Sequence, residues 1–164
     1  MSLDVDKLEE LLNKLKEELK KLESLRLKLS EEGTRLAREL IRAEEIGEKD
    51  YLIPRTMELY GLLSIIYPAI VNLATTVQEL INTLKEIREN AHLCEDPKYL
   101  VVCDKALTLA REAEKTMHDL ELELRLMRYE IEDIAKAIAS AGYEIPQIKQ
   151  ILESIEQTLQ TAHA

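Results

Sequence analysis

An apolar residue occupies every seventh position along the first part of the chain, in the series Leu8, Leu15, Leu22, Leu29, Leu36 and Ala43. Further leucine and isoleucine residues, ending with Ile46, lie three or four positions from these, so one side of a helix is continuously apolar. A heptad spacing kept over this length is typical of a long helix that packs lengthwise against other helices. The spacing predicts a first helix from about residue 3 to residue 46.

Two more long helices and a shorter one are predicted by the same spacing. Apolar positions three and four residues apart predict helices over about 54–92, 97–141 and 146–162. Most of the few glycines and prolines fall at the ends of these segments, where they end one helix or begin the next. Short connections predict that successive helices run antiparallel and pack as neighbours. We therefore predict an all-α, elongated antiparallel helical bundle that forms a single domain over residues 1–164.

The chain lacks the patterns on which common catalytic and ligand-binding sites depend. Its four glycines are far apart, which excludes a glycine-rich phosphate-binding loop. Glu89-x-x-His92, with Glu86 one turn earlier, resembles half of a di-iron motif, but no second Glu-x-x-His is present. Both carboxylates also lie off the apolar side of their helix, so a solvated charged face is the better interpretation. We predict a protein that is not an enzyme and holds no metal or cofactor.

The charge of the chain argues against nucleic acid as a partner. The net charge is −10, no region forms a basic face, and the only aromatic residues are six scattered tyrosines. A nucleic-acid surface would need clustered lysine and arginine, with aromatic residues for base stacking. The N-terminal residues are charged and lack the apolar run of a signal peptide, so we expect none, and the cytoplasm is the default prediction for localisation.

Two cysteines, Cys94 and Cys103, flank the predicted second loop. Cys103 falls on the apolar side of the third helix, which favours a buried free thiol. A local disulfide between the two is the alternative. A zinc site is disfavoured because zinc needs four ligands, commonly with Cys-x-x-Cys spacing.

The second helix contains an uncharged stretch over residues 59–78, which allows two interpretations. The length is sufficient to span a bilayer, which would make the protein membrane-associated. We favour burial within the bundle, because the fourth helix should pack beside this stretch. The second helix would then have three neighbours there and be apolar nearly all round. One half of the bundle would contain four helices and the other half three.

A second apolar stripe runs along the third helix at Leu122, Leu126 and Tyr129. The favoured interpretation is that the fourth helix covers it. If it is uncovered, the stripe is a candidate surface for a protein partner or for self-association.

The predicted function is a non-catalytic structural or interaction role. A rigid bundle with a charged exterior can act as scaffold, adaptor or assembly subunit through protein–protein contacts. The membrane-associated protein is the first alternative. An engineered helical scaffold is the second, because the Leu/Glu/Lys regularity up to Leu29 resembles idealised helical designs. The less regular later helices favour a natural or naturally derived sequence.

Overall fold

The computed structural model describes residues 3–163, and within them the chain forms four α-helices and no strand. The helices are α1 (Val5–Ile46), α2 (Ile53–Glu89), α3 (Leu100–Ser140) and α4 (Gln147–His163). Short 3-10 segments occupy Lys49–Leu52, Ala91–Glu95 and Pro97–Tyr99 in the connections. The predicted all-α bundle of three long helices and a shorter fourth is confirmed.

The ends of α1 are set by residues that satisfy its free backbone groups. The Asp4 carboxylate accepts a hydrogen bond from the backbone N–H of Lys7 at 3.2 Å, which caps the start of the helix. Gly47 adopts a φ of 77° and donates its N–H to the Ala43 carbonyl at 2.8 Å. A left-handed residue at this position is most easily a glycine, and it ends α1 where the spacing predicted.

The heptad positions of α1 form one side of the core. All six members of the series from Leu8 to Ala43 are buried, as are Leu11 and Leu25 between them. Ile46, the last residue of the helix, is 57% exposed, so the prediction that it extends the apolar side is wrong. Gly33 lies inside the helix, and a methyl group added there would approach Cγ1 of Ile134 to 3.2 Å. The glycine therefore allows α1 and α3 to pack closely.

Side-chain pairs show the directions of the long helices. Lys105 pairs with Glu9 at 3.0 Å and Lys16 with Glu112 at 3.4 Å, so residue numbers rise together along α1 and α3. These two helices are parallel.

The other two helices run the opposite way. Glu18 of α1 accepts a hydrogen bond from Thr76 of α2 at 2.6 Å, and Arg55 reaches back to Glu39 at 3.0 Å. Residue numbers therefore fall along α2 as they rise along α1, so these two helices are antiparallel. Arg128 of α3 pairs with Glu156 of α4 at 2.9 Å, and Glu121 pairs with His163 at 3.5 Å, so α4 runs antiparallel to α3 in the same way.

The helices pack at the corners of a square rather than in simple succession. α1 packs against α2 and α3, and α4 packs against the same two helices from the opposite corner. Successive helices are antiparallel, as predicted, but α2 and α3 lie across the square and scarcely contact each other. The prediction that they pack as neighbours is wrong, because the 3-10 segments between them let the chain cross the diagonal. Since α4 is short, one half of the bundle contains four helices and the other contains three.

Candidate interaction surfaces

The stripe on α3 is exposed. The exposed fractions are 56% for Leu122, 42% for Leu126 and 69% for Tyr129. The favoured prediction that α4 covers them is wrong. The polar contacts between the two helices, Arg128 with Glu156 and Glu121 with His163, lie on another side of α3.

The neighbouring helix α1 extends this apolar surface. A groove of about 620 Å³ between α1 and α3 is lined by Leu19, Glu23, Leu122 and Leu126, among others. Leu27 follows Glu23 by one helical turn and is 52% exposed. We call Leu27, Leu122, Leu126 and Tyr129 the outer patch.

Charged residues of both signs border the outer patch along the groove between α1 and α3. Lys16, Lys20 and Lys115 line the same groove as Glu112 and Asp119. An apolar centre with a charged rim is the usual composition of a surface that binds another protein.

An ion pair fixes the two helices beneath the outer patch. The Arg26 side chain donates to the Glu123 carboxylate, and these side chains are only 18% and 10% exposed. The pair links α1 and α3 at the level of Leu122. This pair could not be predicted, because the two residues lie in different helices within otherwise ordinary charged patterns.

The two cysteines form a disulfide, with 5.9 Å between their Cα atoms. Cys94 lies in a 3-10 segment and Cys103 in the first turn of α3, and both are half-buried. The favoured interpretation of Cys103 as a buried free thiol is therefore wrong. The apolar side of α3 is not covered by a fourth helix at this level, which leaves Cys103 at the edge of the core.

The partial metal motif does not come together with other ligands. Glu86, Glu89 and His92 are each exposed near the end of α2. Among residues 3–163, no group of three or more His, Cys, Asp and Glu side chains is arranged to hold a metal ion.

The uncharged stretch of α2 has one packed side and one exposed side. Leu63, Ile66 and Ile70 are fully buried, whereas Tyr60 and Ile65 are 51% and 53% exposed. The prediction of burial nearly all round is wrong because α2 has two packed neighbours here, α1 and α4. By length and composition α2 is apolar enough to cross a membrane, and 33% of its most apolar window is buried.

Comparison of the chain with protein-family models, with curated proteins and with solved structures finds no match. The class of protein is therefore defined by the fold itself, an all-α helical bundle. The function has to be argued from the surfaces of this chain.

Proposed function

We propose that the protein is a non-catalytic interaction protein, a rigid helical bundle that acts as scaffold, adaptor or assembly subunit. The observation that supports this proposal is the outer patch, where four large apolar side chains are exposed beside a charged rim. Exposed apolar side chains favour association, because burying the remaining exposed half of each leucine releases roughly 1 kcal/mol of hydrophobic free energy. The surface that covers the outer patch belongs either to a partner protein or to a second copy of the chain.

The partner surface should match both parts of the outer patch. Leu122, Leu126 and Leu27 need an apolar counterpart, and the exposed ring of Tyr129 can add apolar area while its hydroxyl stays hydrated. The rim carries Lys20 and Asp119, so a partner with charges of both signs complements it better than a surface of one sign.

The test compares a patch variant with a matched exposed-residue variant. Leu122→Lys combined with Leu126→Lys places two charges in the outer patch, while Ile41→Lys changes a residue that is 60% exposed elsewhere on α1. Each protein is purified from its host under native conditions, with light scattering for self-association and mass spectrometry for partners. The proposal expects a stoichiometric partner, or a dimer, that Ile41→Lys retains and the double variant loses. Equal behaviour of the two variants would contradict it.

The disulfide and the predicted compartment lead to opposite expectations. Disulfides persist in oxidising compartments and are rare in the cytoplasm. If the protein is cytoplasmic, as predicted, Cys94 and Cys103 should be free thiols in the cell. If it resides in an oxidising compartment, they should form the disulfide. Alkylation of thiols in intact host cells, followed by peptide mass spectrometry, distinguishes the two.

Membrane association is a second candidate function, favoured by the exposed side of α2. Met57, Tyr60, Ile65 and Val71 expose 69%, 51%, 53% and 41% of their surface along this side. Because the chain has a net charge of −10, zwitterionic phosphatidylcholine vesicles are the appropriate probe. Flotation with these vesicles that Ile65→Lys abolishes and Ile41→Lys preserves would favour this function. A protein that stays wholly in the soluble fraction would exclude it.

A further inference from the structure

The half of the bundle that α4 does not reach contains an open apolar groove. It has a volume of about 940 Å³ and lies between the end of α2 and the start of α3. Ala162, near the end of α4, lies at one end of the groove, and the Cys94–Cys103 disulfide lies at the other. We propose that this groove binds one amphipathic helix of a partner protein, aligned end to end with α4.

The groove continues the interface in which α4 is already packed between α2 and α3. Under α4, the apolar positions Leu73 of α2 and Leu124 of α3 are fully buried. About two to four turns further along the same sides of these helices, Leu84, Ile87 and Met117 are only half-buried. The groove is therefore the same helix-binding interface without its helix.

The floor of the groove indicates what the partner helix carries. Ala106, Ala110 and Ala113 line it on α3, and Leu84 and Leu107 stand at its sides. Well-packed interfaces set large side chains opposite small ones. A partner helix therefore needs Leu, Ile or Met at positions i, i+3 or i+4, and i+7, which is the pattern that α4 itself presents with Ile148, Ile151 and Ile155.

The ends of the groove limit the length and direction of the partner. The floor extends from Cys103 to Met117 on α3, which at 1.5 Å per residue is about 21 Å, or four helical turns. A longer helix can project past the disulfide end but is stopped at the other by α4. The C-terminal end of α4 carries the negative end of its helix dipole. It therefore favours a partner helix whose N-terminus, the positive end, lies next to it. The partner helix therefore runs antiparallel to α3.

The site is separate from the outer patch. The outer patch lies between α1 and α3, whereas the groove lies between α2 and α3. Binding in the groove consequently does not depend on the proposed function of the outer patch. Leu122→Lys combined with Leu126→Lys should leave it unchanged, so the two proposals fail separately.

The test uses a peptide of residues 147–163, because α4 already fits this type of groove. A lactam between the exposed Lys149 and Glu153 side chains, four residues apart, holds the isolated peptide helical. Binding of the fluorescein-labelled peptide to the full chain is measured by anisotropy. The proposal expects saturable binding, with amide shifts in the NMR spectrum at Leu107, Ala110 and Met117.

Two groove variants and one control complete the experiment. Ala110→Arg fills the floor, and Leu107→Lys changes a side chain that is 53% exposed and therefore not needed for folding. Ala37→Arg makes the same change as Ala110→Arg at an exposed alanine of α1. The proposal expects each groove variant to weaken peptide binding at least about tenfold, equivalent to 1.4 kcal/mol, and the control to leave it unchanged.

Three results would overturn the proposal. The first is no saturable binding to the wild-type chain. The second is equal binding by the groove variants, which would mean that the peptide displaces α4 from its own place. The third is a dimer of the wild-type chain that Leu107→Lys dissociates, since the groove would then be occupied by a second copy.

Discussion

The two halves of the bundle have the same apolar spacing but different numbers of helices. In the half that contains α4, the core positions Ile70, Leu73, Leu124 and Ile131 have no exposed surface. In the other half, the equivalent positions Leu84, Ile87 and Met117 remain half-buried, beside the open groove. A heptad pattern determines which side of each helix is apolar. The length of the neighbouring helices determines how completely that side is covered.

The largest expected effect comes from truncating equivalent leucines of α2 in the two halves. Leu73→Ala should lower the free energy of unfolding by about 2–5 kcal/mol, because it leaves a cavity in a fully packed core. Leu84→Ala should lower it by roughly 1 kcal/mol, since that side chain is half-buried and water can fill the space. Urea unfolding followed by circular dichroism measures both. Equal losses would show that the two halves are packed alike.

Removing the disulfide tests what holds the open half together. Replacing Cys94 and Cys103 by Ser removes a cross-link between residues nine apart, which by loop-closure entropy costs about 2–3 kcal/mol. The loss should be accompanied by faster proteolysis between residues 90 and 99, while α4 stays protected. Wild-type protein treated with a reductant should match the variant. A reductant that leaves the unfolding midpoint unchanged would contradict the expectation.

The Arg26–Glu123 pair should matter more than the exposed pairs of the open half. Glu123→Gln leaves the mostly buried Arg26 without its charge partner, which should cost about 1–3 kcal/mol. Glu112→Gln breaks the pair with Lys16, whose side chains are 45–50% exposed, and should cost about 0–1 kcal/mol. Chemical denaturation of the two single variants makes the comparison. A larger loss for Glu112→Gln would show that burial does not determine the strength of these pairs.

The smallest expected effect is a change at alkaline pH in the open half. The hydrogen bond to Glu9, helped by the charges of Glu9 and Asp6, raises the pKa of Lys105 above its usual 10.5. Because the pKa is higher in the folded protein than in the unfolded chain, the Lys105 charge stabilises the fold fully at any pH below the pKa of the unfolded chain. This stabilisation is lost as the pH rises through the pKa of the folded protein. Wild type should therefore be slightly more stable than Lys105→Met at neutral pH, and the difference should disappear above pH 10.5. Unfolding curves recorded across this range test the expectation, and a constant difference would contradict it.

The helices and the apolar side of each were predictable from sequence because they depend on local spacing. The series from Leu8 to Ala43 is buried throughout, and Gly47 ends α1 as expected. The coverage of Leu122, Leu126 and Tyr129 was not predictable, because it depends on the side of α3 that α4 contacts. That choice is made by tertiary packing, which leaves no mark in the local spacing.

The disulfide and the open groove were also not determined by the sequence pattern. Cys94 and Cys103 could be predicted as a possible pair, but their bonding depends on the 3-10 segment that turns Cys94 toward α3. The groove was missed because its lining residues belong to the same apolar spacing as the core. Only the length of α4, compared with the lengths of α2 and α3, pointed to a half with three helices.

Amide hydrogen exchange of the free full chain, read by peptide mass spectrometry, tests the difference between the two halves most directly. We expect residues 63–77 of α2 and 120–138 of α3, which contact α4 or lie level with it, to exchange slowest. Residues 81–91 and 100–117, along the open groove, should exchange markedly faster. Equal protection in both pairs of segments would contradict the account, because it would mean that the groove is already covered.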